Sequence, residues 1–255
     1  MIFCYNRILT KDQFIAFSNF RREFKEKIQE WSVYNDELRT LQIQAAKEGK
    51  TPEYPVDNPV VYNKSLDFVT QCDDIKLIII GDNPGKNEQL NENQKYLVGL
   101  AGKLGQKFFA ENPELNTDFR KNVIILNKTP IHSARTEQLR YIMKNARPEI
   151  SNLIIESQKW MARNTALLNM KLGTKLWLVG YAELKGKGLF LNYRDELIST
   201  FGKDNLDMIF VYQHFSMNRF TIDLKNFQEK EGAGLNLYDA LSSLGTLHRK
   251  EIFKV

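Results

Sequence analysis

The chain is poor in the residues that bind metals or form disulfides, with 2 cysteines and 3 histidines among 255 residues. Cys4 and Cys72 lie far apart, and neither belongs to a Cys-x-x-Cys or Cys/His spacing. The sequence therefore predicts no disulfide framework, no zinc site and no iron–sulfur cluster. We expect a reducing, intracellular environment and a protein that works without a metal or another cofactor.

Long apolar stretches are also missing. No segment approaches the roughly 20 apolar residues that a membrane span requires. Residues 1–10 lack the basic start and the long apolar core of a secretion signal. We therefore expect a cytoplasmic protein that has no membrane partner, is associated with the nucleoid if its source is bacterial, and works as a monomer.

The motifs of several common enzyme classes are absent as well. The chain has no Gly-x-Ser-x-Gly nucleophile elbow, no Gly-x-x-x-x-Gly-Lys-[Ser/Thr] phosphate loop and no Gly-x-Gly-x-x-Gly fingerprint in a suitable context. What the chain does have is an excess of positive charge, with 36 Lys and Arg against 31 Asp and Glu. A net charge of +5 is compatible with a nucleic-acid partner, and equally with a lysine-rich solvated surface.

The first 74 residues differ from the rest of the chain. Segments 11–30 and 36–47 carry apolar residues at helical spacing among many charges, which predicts two surface helices. Pro52, Pro55 and Pro59 interrupt regular structure in a connector at 51–63. We interpret residues 1–74 as a helical extension packed on a core domain that comprises residues 75–255.

From residue 75 onward, short apolar runs alternate with helical stretches. The predicted strands are 76–80, 122–126, 175–179 and 207–212. The predicted helices are 97–110, 136–144, 148–168 and 184–201. This alternation predicts an α/β fold in three layers, α/β/α, around a central four-stranded parallel sheet. Ligands of such sheets bind beyond the carboxyl ends of the strands.

Polar residues follow three of the four predicted strands. The segments are Gly81-Asp82-Asn83-Pro84-Gly85 after the first strand, Asn127 to Arg135 after the second, and Gln213 to Arg219 after the fourth. Because the carboxyl ends of parallel strands share one edge of a sheet, we expect these groups to converge there. Each segment taken alone is equally an ordinary turn, and we interpret His132 and His248 as plain surface or half-buried histidines.

These segments resemble, in order and spacing, the motifs of the uracil-DNA glycosylase superfamily over about residues 75–250. The first motif of that superfamily is a Gly-x-x-Pro-Gly type turn, which residues 81–85 match. Its last motif is a His-Pro-Ser-like turn, whose place is taken by residues 214–216. Residues 96–102, Tyr-Leu-Val-Gly-Leu-Ala-Gly, are similar to a segment of the bacterial and archaeal family 4 enzymes, and residues 176–182 to the third strand and its turn.

The resemblance implies an enzyme of base-excision repair that flips a deaminated base, first of all uracil, out of DNA and hydrolyses its N-glycosidic bond. It implies that His214 donates a hydrogen bond to the leaving base and that Asn127 reads the base edge. The attacking water is held or activated by Asp82, where family 4 has a carboxylate, or by Asn83, where other branches have an asparagine. These two alternatives stay open.

The same resemblance implies contacts to the base and to the DNA backbone. The further base contacts are Gly81, Pro84, Gly85, Tyr96 and Leu97. Of the last two, which are candidates for stacking on the base, we favour Tyr96 because its π-face is larger. The implied DNA contacts are Ser133, Ser216, Met217, Asn218 and Arg219. The two serine hydroxyls and the backbone amides of the glycine turns would bind phosphates. Met217, Asn218 and Arg219 would form a wedge in the vacated base stack. A solvated helix face is an equally good interpretation of Lys86, Lys103 and Lys107.

Three departures separate the chain from that family. Family 4 enzymes bind an iron–sulfur cluster through four cysteines, which this chain lacks. Phe215 replaces the proline of the last motif, and residues 1–74 have no recognisable counterpart. The alternative function is therefore a catalytically inactive module on the same fold that binds nucleic acid or a nucleotide.

Overall fold

Four short, buried strands form the centre of the molecule. In the computed structural model, which describes residues 8–202 and 205–254, they are β1 (Leu77–Gly81), β2 (Val123–Asn127), β3 (Lys175–Val179) and β4 (Ile209–Tyr212). All pairings are parallel, in the order β2-β1-β3-β4. Apolar strands buried on both faces are typical of parallel sheets. The predicted strands are confirmed, with β1 and β2 one residue further along the chain than expected and β4 two residues shorter.

Eight α-helices surround the sheet in the described part of the chain. They are α1 (Lys11–Trp31), α2 (Asn35–Glu48), α3 (Leu100–Glu111), α4 (Gln138–Asn145), α5 (Pro148–Leu172), α6 (Leu191–Phe201), α7 (Arg219–Lys230) and α8 (Leu237–Phe253). Because side chains alternate along a strand, Ile78 and Ile80 share one core with α1, α2, α4, α5 and α6. Leu77 and Ile79 share the opposite core with α3, α7 and most of α8. The predicted three-layer α/β/α fold is therefore confirmed.

The N-terminal helices belong to the same core as one face of the sheet. Thr10 and Gln13 form a capping box that starts α1, because each side chain bonds the backbone N–H of the other residue. Phe20 and Phe24 of α1 are buried and stack on Trp160 of α5, with ring centroids 6.1 and 5.7 Å apart. Each such buried aromatic side chain contributes about 2–3 kcal/mol of apolar burial. The extension is thus held on the core by hydrophobic contact.

Three parts of the helix prediction were wrong. The helix predicted from residue 184 begins at Leu191, because Gly186 has a left-handed φ of +58° and a side chain at Gly188 would lie 2.2 Å from the Glu183 carbonyl oxygen. The helix predicted from residue 97 begins at Leu100, since Leu97 is also left-handed, with φ 53°. Helices α7 and α8 were not predicted. No helix in the described ranges is both long enough and apolar enough to cross a membrane.

Candidate active site

The carboxyl ends of all four strands surround an open cleft of about 720 Å³. Its lining includes Asp82 after β1, Asn127 at the end of β2, Gly180 after β3 and His214 after β4. The topological switch point of the sheet lies between the neighbouring central strands β1 and β3. Ligands of parallel sheets usually bind at the carboxyl ends of the strands at such a point. The structure thus brings together the three predicted strand ends and adds the turn that follows β3.

Asn127 lines the cleft from a buried position, with 1% of its surface exposed. Neither its amide nitrogen nor its amide oxygen has a hydrogen-bond partner among the residues that the structure describes. Leaving a buried polar atom without a partner costs about 1–3 kcal/mol. An amide presents a donor and an acceptor side by side. This side chain is therefore arranged to pair with a group that enters the cleft.

The imidazole of His214 is oriented by Ser216. The Ser216 backbone N–H donates to Nδ1 over 3.1 Å, and Ser216 Oγ lies 2.8 Å from the same nitrogen. Because an amide N–H can only donate, Nδ1 carries the lone pair and Nε2 carries the proton of the neutral ring. Burial lowers the pKa of His214, which favours this neutral form. Ser216 was predicted to bind a phosphate, but its hydroxyl instead contacts the ring.

Asp82 follows β1 and is 8% exposed. Its Oδ1 lies 2.5 Å from Nζ of Lys128. Among the residues that the structure describes, its Oδ2 makes one long contact, 3.5 Å from Thr136 Oγ1. Gly180 has a left-handed φ of +94°, and a side chain there would lie 2.2 Å from Oδ1 of Asp82. A glycine at position 180 is therefore required for the observed position of the carboxylate.

Asn83 is held by the loop after β2. Its Nδ2 donates to Ser133 Oγ over 2.9 Å, and Ser133 Oγ in turn donates to the Arg135 carbonyl over 2.8 Å. Because its hydroxyl is used in both directions, Ser133 positions Asn83 and is not the free phosphate ligand that was predicted. The Oδ1 of Asn83 accepts no hydrogen bond within the described part of the protein. Asp82 and Asn83 both line the cleft.

His132 supports the Gly81–Gly85 turn from outside the cleft. Its Nδ1–H donates to the Pro84 carbonyl over 2.8 Å, and the Tyr54 hydroxyl donates to its Nε2 over 2.9 Å. Burial lowers the pKa of His132 to about 4, so that the ring is neutral. The prediction of a surface or half-buried histidine was wrong, because this side chain is fully buried.

Tyr96 and Leu97 have different positions from those that we favoured. Tyr96 is buried in the core, its hydroxyl donates to the Val61 carbonyl over 2.6 Å, and it does not line the cleft. The preference for Tyr96 as the stacking residue is therefore corrected, since Leu97 is the one that lines the cleft. The guanidinium of Arg120 donates hydrogen bonds to the backbone carbonyls of Tyr96 and Leu97. A side chain at Gly102 would overlap the Leu97 carbonyl.

Glu88 links the two segments that border the cleft on this side. Its Oε2 accepts a hydrogen bond from the Gly85 N–H over 3.1 Å. Burial raises the pKa of Glu88 to about 7, and this effect is opposed by the backbone N–H groups of Gly85, Leu97 and Val98 and by the charge of Arg120. The carboxylate thus holds the first turn beside the segment that carries Leu97.

Exposed apolar side chains and cationic groups lie at the rim of the cleft. Met217 is 73% exposed and Leu100 is 71% exposed, and both line the opening. Met217 and Asn218 adopt left-handed φ values of 54° and 56°, directly before Arg219 begins α7. Strained backbone of this kind costs about 1–3 kcal/mol per residue and is common at functional sites.

The three lysines whose interpretation was open differ in position. Lys86 lines the cleft, whereas Lys103 and Lys107 do not. Arg135 and Arg219 also line it. Helices α3 and α7 both begin at this rim, and the N-terminus of a helix attracts anions.

The sequence alone did not identify several residues that build the site, namely Lys128, Glu88, Arg120 and Gly180. The one signal for Lys128 in the sequence was its position, directly after a predicted buried strand and the polar Asn127. Within residues 8–202 and 205–254, no group of three His, Cys, Asp or Glu side chains is arranged to hold a metal ion. Cys4, which the sequence analysis placed outside any metal-binding spacing, lies outside the described residues.

No model of a known protein family matches the chain, and no curated protein matches it. The chemistry open to the cleft follows from the groups that line it: the buried amide of Asn127, which has no partner among the described residues, the neutral imidazole of His214, and the side chains of Asp82 and Asn83.

Proposed function

We propose that the protein is a DNA glycosylase that extrudes a deaminated base, first of all uracil, into the cleft and hydrolyses its N-glycosidic bond. The observation that carries this proposal is Asn127, whose two buried amide atoms have no partner in the described structure. Uracil presents a neighbouring N–H donor and carbonyl acceptor on one edge, which complement an amide. An empty hydrogen-bonding position of this kind selects for a base that fills it.

The leaving base is the first chemical requirement. As the glycosidic bond breaks, negative charge develops on the base and is shared by its carbonyl oxygens, and a preorganised donor stabilises that charge. His214 supplies such a donor, since its Nδ1 accepts from Ser216 and the proton of the neutral ring is on Nε2. A neutral imidazole is sufficient because no proton has to be transferred to the base.

The sugar and the water are the second requirement. The sugar becomes oxocarbenium-like in the transition state, so that a nearby carboxylate is stabilising. Asp82 lines the cleft with one oxygen bound to Lys128 and the other nearly unpaired. Asn83 is fixed by Ser133, and its Oδ1 accepts no hydrogen bond from the described residues, which suits a residue that accepts a hydrogen bond from the attacking water. We assign charge stabilisation to Asp82 and orientation of the water to Asn83.

The rim supports a DNA partner. Arg219, Arg135 and Lys86 line the cleft, and two helix N-termini open onto it, which suits phosphates on either side of an extruded nucleotide. Met217 and Leu100 are exposed apolar side chains of a size that can enter the gap left by a flipped base. The cost of flipping is lowest at a mismatch, so that a U·G pair is the expected preferred duplex substrate.

The test is release of free uracil from oligonucleotides that are single-stranded, paired U·G or paired U·A. We expect release from at least one of the three and a strong loss of turnover in His214→Ala with DNA affinity largely unchanged. Absence of release from all three, combined with tight DNA binding, would replace the glycosylase by the non-catalytic binding module.

A further inference from the structure

Lys128, a charged residue, is fully buried behind the candidate active site. Lys128 has none of its surface exposed and does not line the cleft. Its backbone N–H donates to the carbonyls of Gly81 and Asp82, both over 3.0 Å, which joins the end of β2 to the end of β1. A buried lysine is costly unless it is paired, so that its presence here requires a reason.

We propose that Lys128 is a positioning residue of this site: its ammonium fixes the Asp82 carboxylate and offsets the charge of that carboxylate at His214. This inference rests on the proposed glycosylase function for its catalytic meaning.

The first support is the match between donors and acceptors. The ammonium carries three N–H groups. It lies 2.5 Å from Asp82 Oδ1, 2.5 Å from the Val179 carbonyl and 3.3 Å from the Gly81 carbonyl. The Phe190 ring covers it, with its centroid 4.9 Å from Nζ. One side chain therefore ties together the ends of β1 and β3 and selects which oxygen of Asp82 is bound.

The same contacts argue against a nucleophilic lysine. Burial lowers the pKa of Lys128, and the negative charges of Asp82 and Glu183 oppose that effect. A nucleophilic amine needs a free lone pair and access to a substrate carbon. Lys128 has three acceptors around its nitrogen and no exposed surface. The arrangement fits a fixed cation.

The second support is electrostatic. Asp82 and His214 line the same cleft, so that the carboxylate acts on the ring. Burial is the main cause that lowers the pKa of His214; the charge of Asp82 raises this pKa, and the charges of Lys128 and Arg219 lower it. Arg219 is exposed and screened by solvent, whereas Lys128 is buried, so that the lysine is the more effective opposing charge. Without Lys128, the Asp82 charge would act on His214 with little opposition and would raise the pKa of His214.

The experiment is an NMR titration of the His214 ring in the parent protein, Lys128→Met, Lys128→Arg and the double variant Asp82→Asn/Lys128→Met. A His214→Gln sample assigns the signal. We expect the pKa of His214 to rise by about one unit or more in Lys128→Met. We expect values close to the parent in Lys128→Arg, which keeps the charge, and in the double variant, which removes both charges.

Activity gives a second readout. The acid limb of the pH–rate profile for uracil release should move to higher pH in Lys128→Met by the same amount, with partial rescue in Lys128→Arg. An unchanged His214 titration in folded Lys128→Met would overturn the inference. If that variant does not fold, the pKa of His214 is compared between Asp82→Asn and Asp82→Asn/Lys128→Met. The first of these retains the Lys128 cation without its carboxylate partner, which should lower the pKa of His214. Equal pKa values in the two variants would overturn the inference.

These outcomes separate the two proposals. A parent protein that releases no base, but in which the His214 titration responds to Lys128 as expected, would refute the glycosylase and support the electrostatic role of the lysine. A parent that releases uracil, with His214 indifferent to Lys128, would support the glycosylase and refute this inference.

Discussion

The amide oxygen of Asn127 lies 2.5 Å from the point at which a Cβ on Gly81 would stand. The two residues are partners in the register of β1 and β2. The absence of a side chain at position 81 is therefore what leaves space for the Asn127 amide at the edge of the cleft. Gly81, the first glycine of the turn, therefore has a steric role toward Asn127, the residue proposed to read the base.

Gly81→Ala should displace the Asn127 amide and reduce uracil release by about 10-fold to 100-fold, which corresponds to the loss of one or two well-placed hydrogen bonds. Single-turnover kinetics on a uracil-containing oligonucleotide measures the effect. Gly49→Ala is the matched control, because its Cβ would make a similar clash of 2.6 Å with the Gln138 amide nitrogen outside the cleft. Equal losses in both variants would contradict a specific role for Gly81.

Asn127→Leu should stabilise the protein while abolishing base recognition. Leu keeps the number and branching of the side-chain heavy atoms, and the substitution removes two buried polar atoms that have no partner in the described structure. We expect the free energy of unfolding to rise by about 1–3 kcal/mol. Urea denaturation measures this value, and the uracil-release assay measures the loss of activity. A destabilised variant would show that the amide is satisfied in the folded protein by itself.

The location of the site could be predicted from the sequence because strand periodicity is a local signal. Apolar runs that end at Gly81 and Asn127 place both residues at one edge of a parallel sheet, whatever the remaining packing. His214 follows the same rule after β4. The order of the elements and the candidate residues at three strand ends follow from this pattern.

The details of the site depend on contacts between residues far apart in the chain, and these could not be predicted. Leu97 lines the cleft, whereas Tyr96 is buried and its hydroxyl donates to the carbonyl of Val61, 35 residues away. Lys128 contacts Val179, 51 residues away. Whether a charged side chain is buried depends on such partners, which periodicity does not reveal.

The stability of the first turn should depend on pH in two opposing ways. The folded pKa of Glu88 is about 7 and its ordinary value is 4.5, so stability falls as pH rises from 4.5 to 7, where only the unfolded chain loses the proton. The folded pKa of His132 is about 4 and its ordinary value is 6.5, so stability is lost as pH falls from 6.5 to 4. Each contribution is on the order of 3 kcal/mol.

Single variants should expose each slope. In Glu88→Gln, the free energy of unfolding should rise with pH between about 4 and 6.5, because only the His132 contribution remains. In His132→Asn, it should fall with pH between about 4.5 and 7. Urea denaturation across this range measures both slopes. Parallel pH profiles in the two variants would show that neither residue titrates as the burial indicates.

DNA binding should weaken steeply with salt, and Arg219 should account for part of the slope. Arg219→Ala is expected to reduce the slope of log K against log[salt] by about 1, the value for one phosphate contact. Lys103→Ala is the control, because Lys103 is exposed on α3 but does not line the cleft. Fluorescence anisotropy with a labelled oligonucleotide measures both. A slope that is unchanged by Arg219→Ala would remove this residue from the DNA interface.

Chemistry on the base is the central claim, and the most direct measurement is mass-spectrometric detection of free uracil and an abasic strand. The substrate is an oligonucleotide with one U·G pair, incubated with the parent protein, Asn127→Ala or His214→Ala. We predict both products with the parent protein and a strong reduction of both in each variant, while His214→Ala still binds the DNA. Intact strands with all three proteins, or equal yields from all three, would contradict the glycosylase assignment of this cleft.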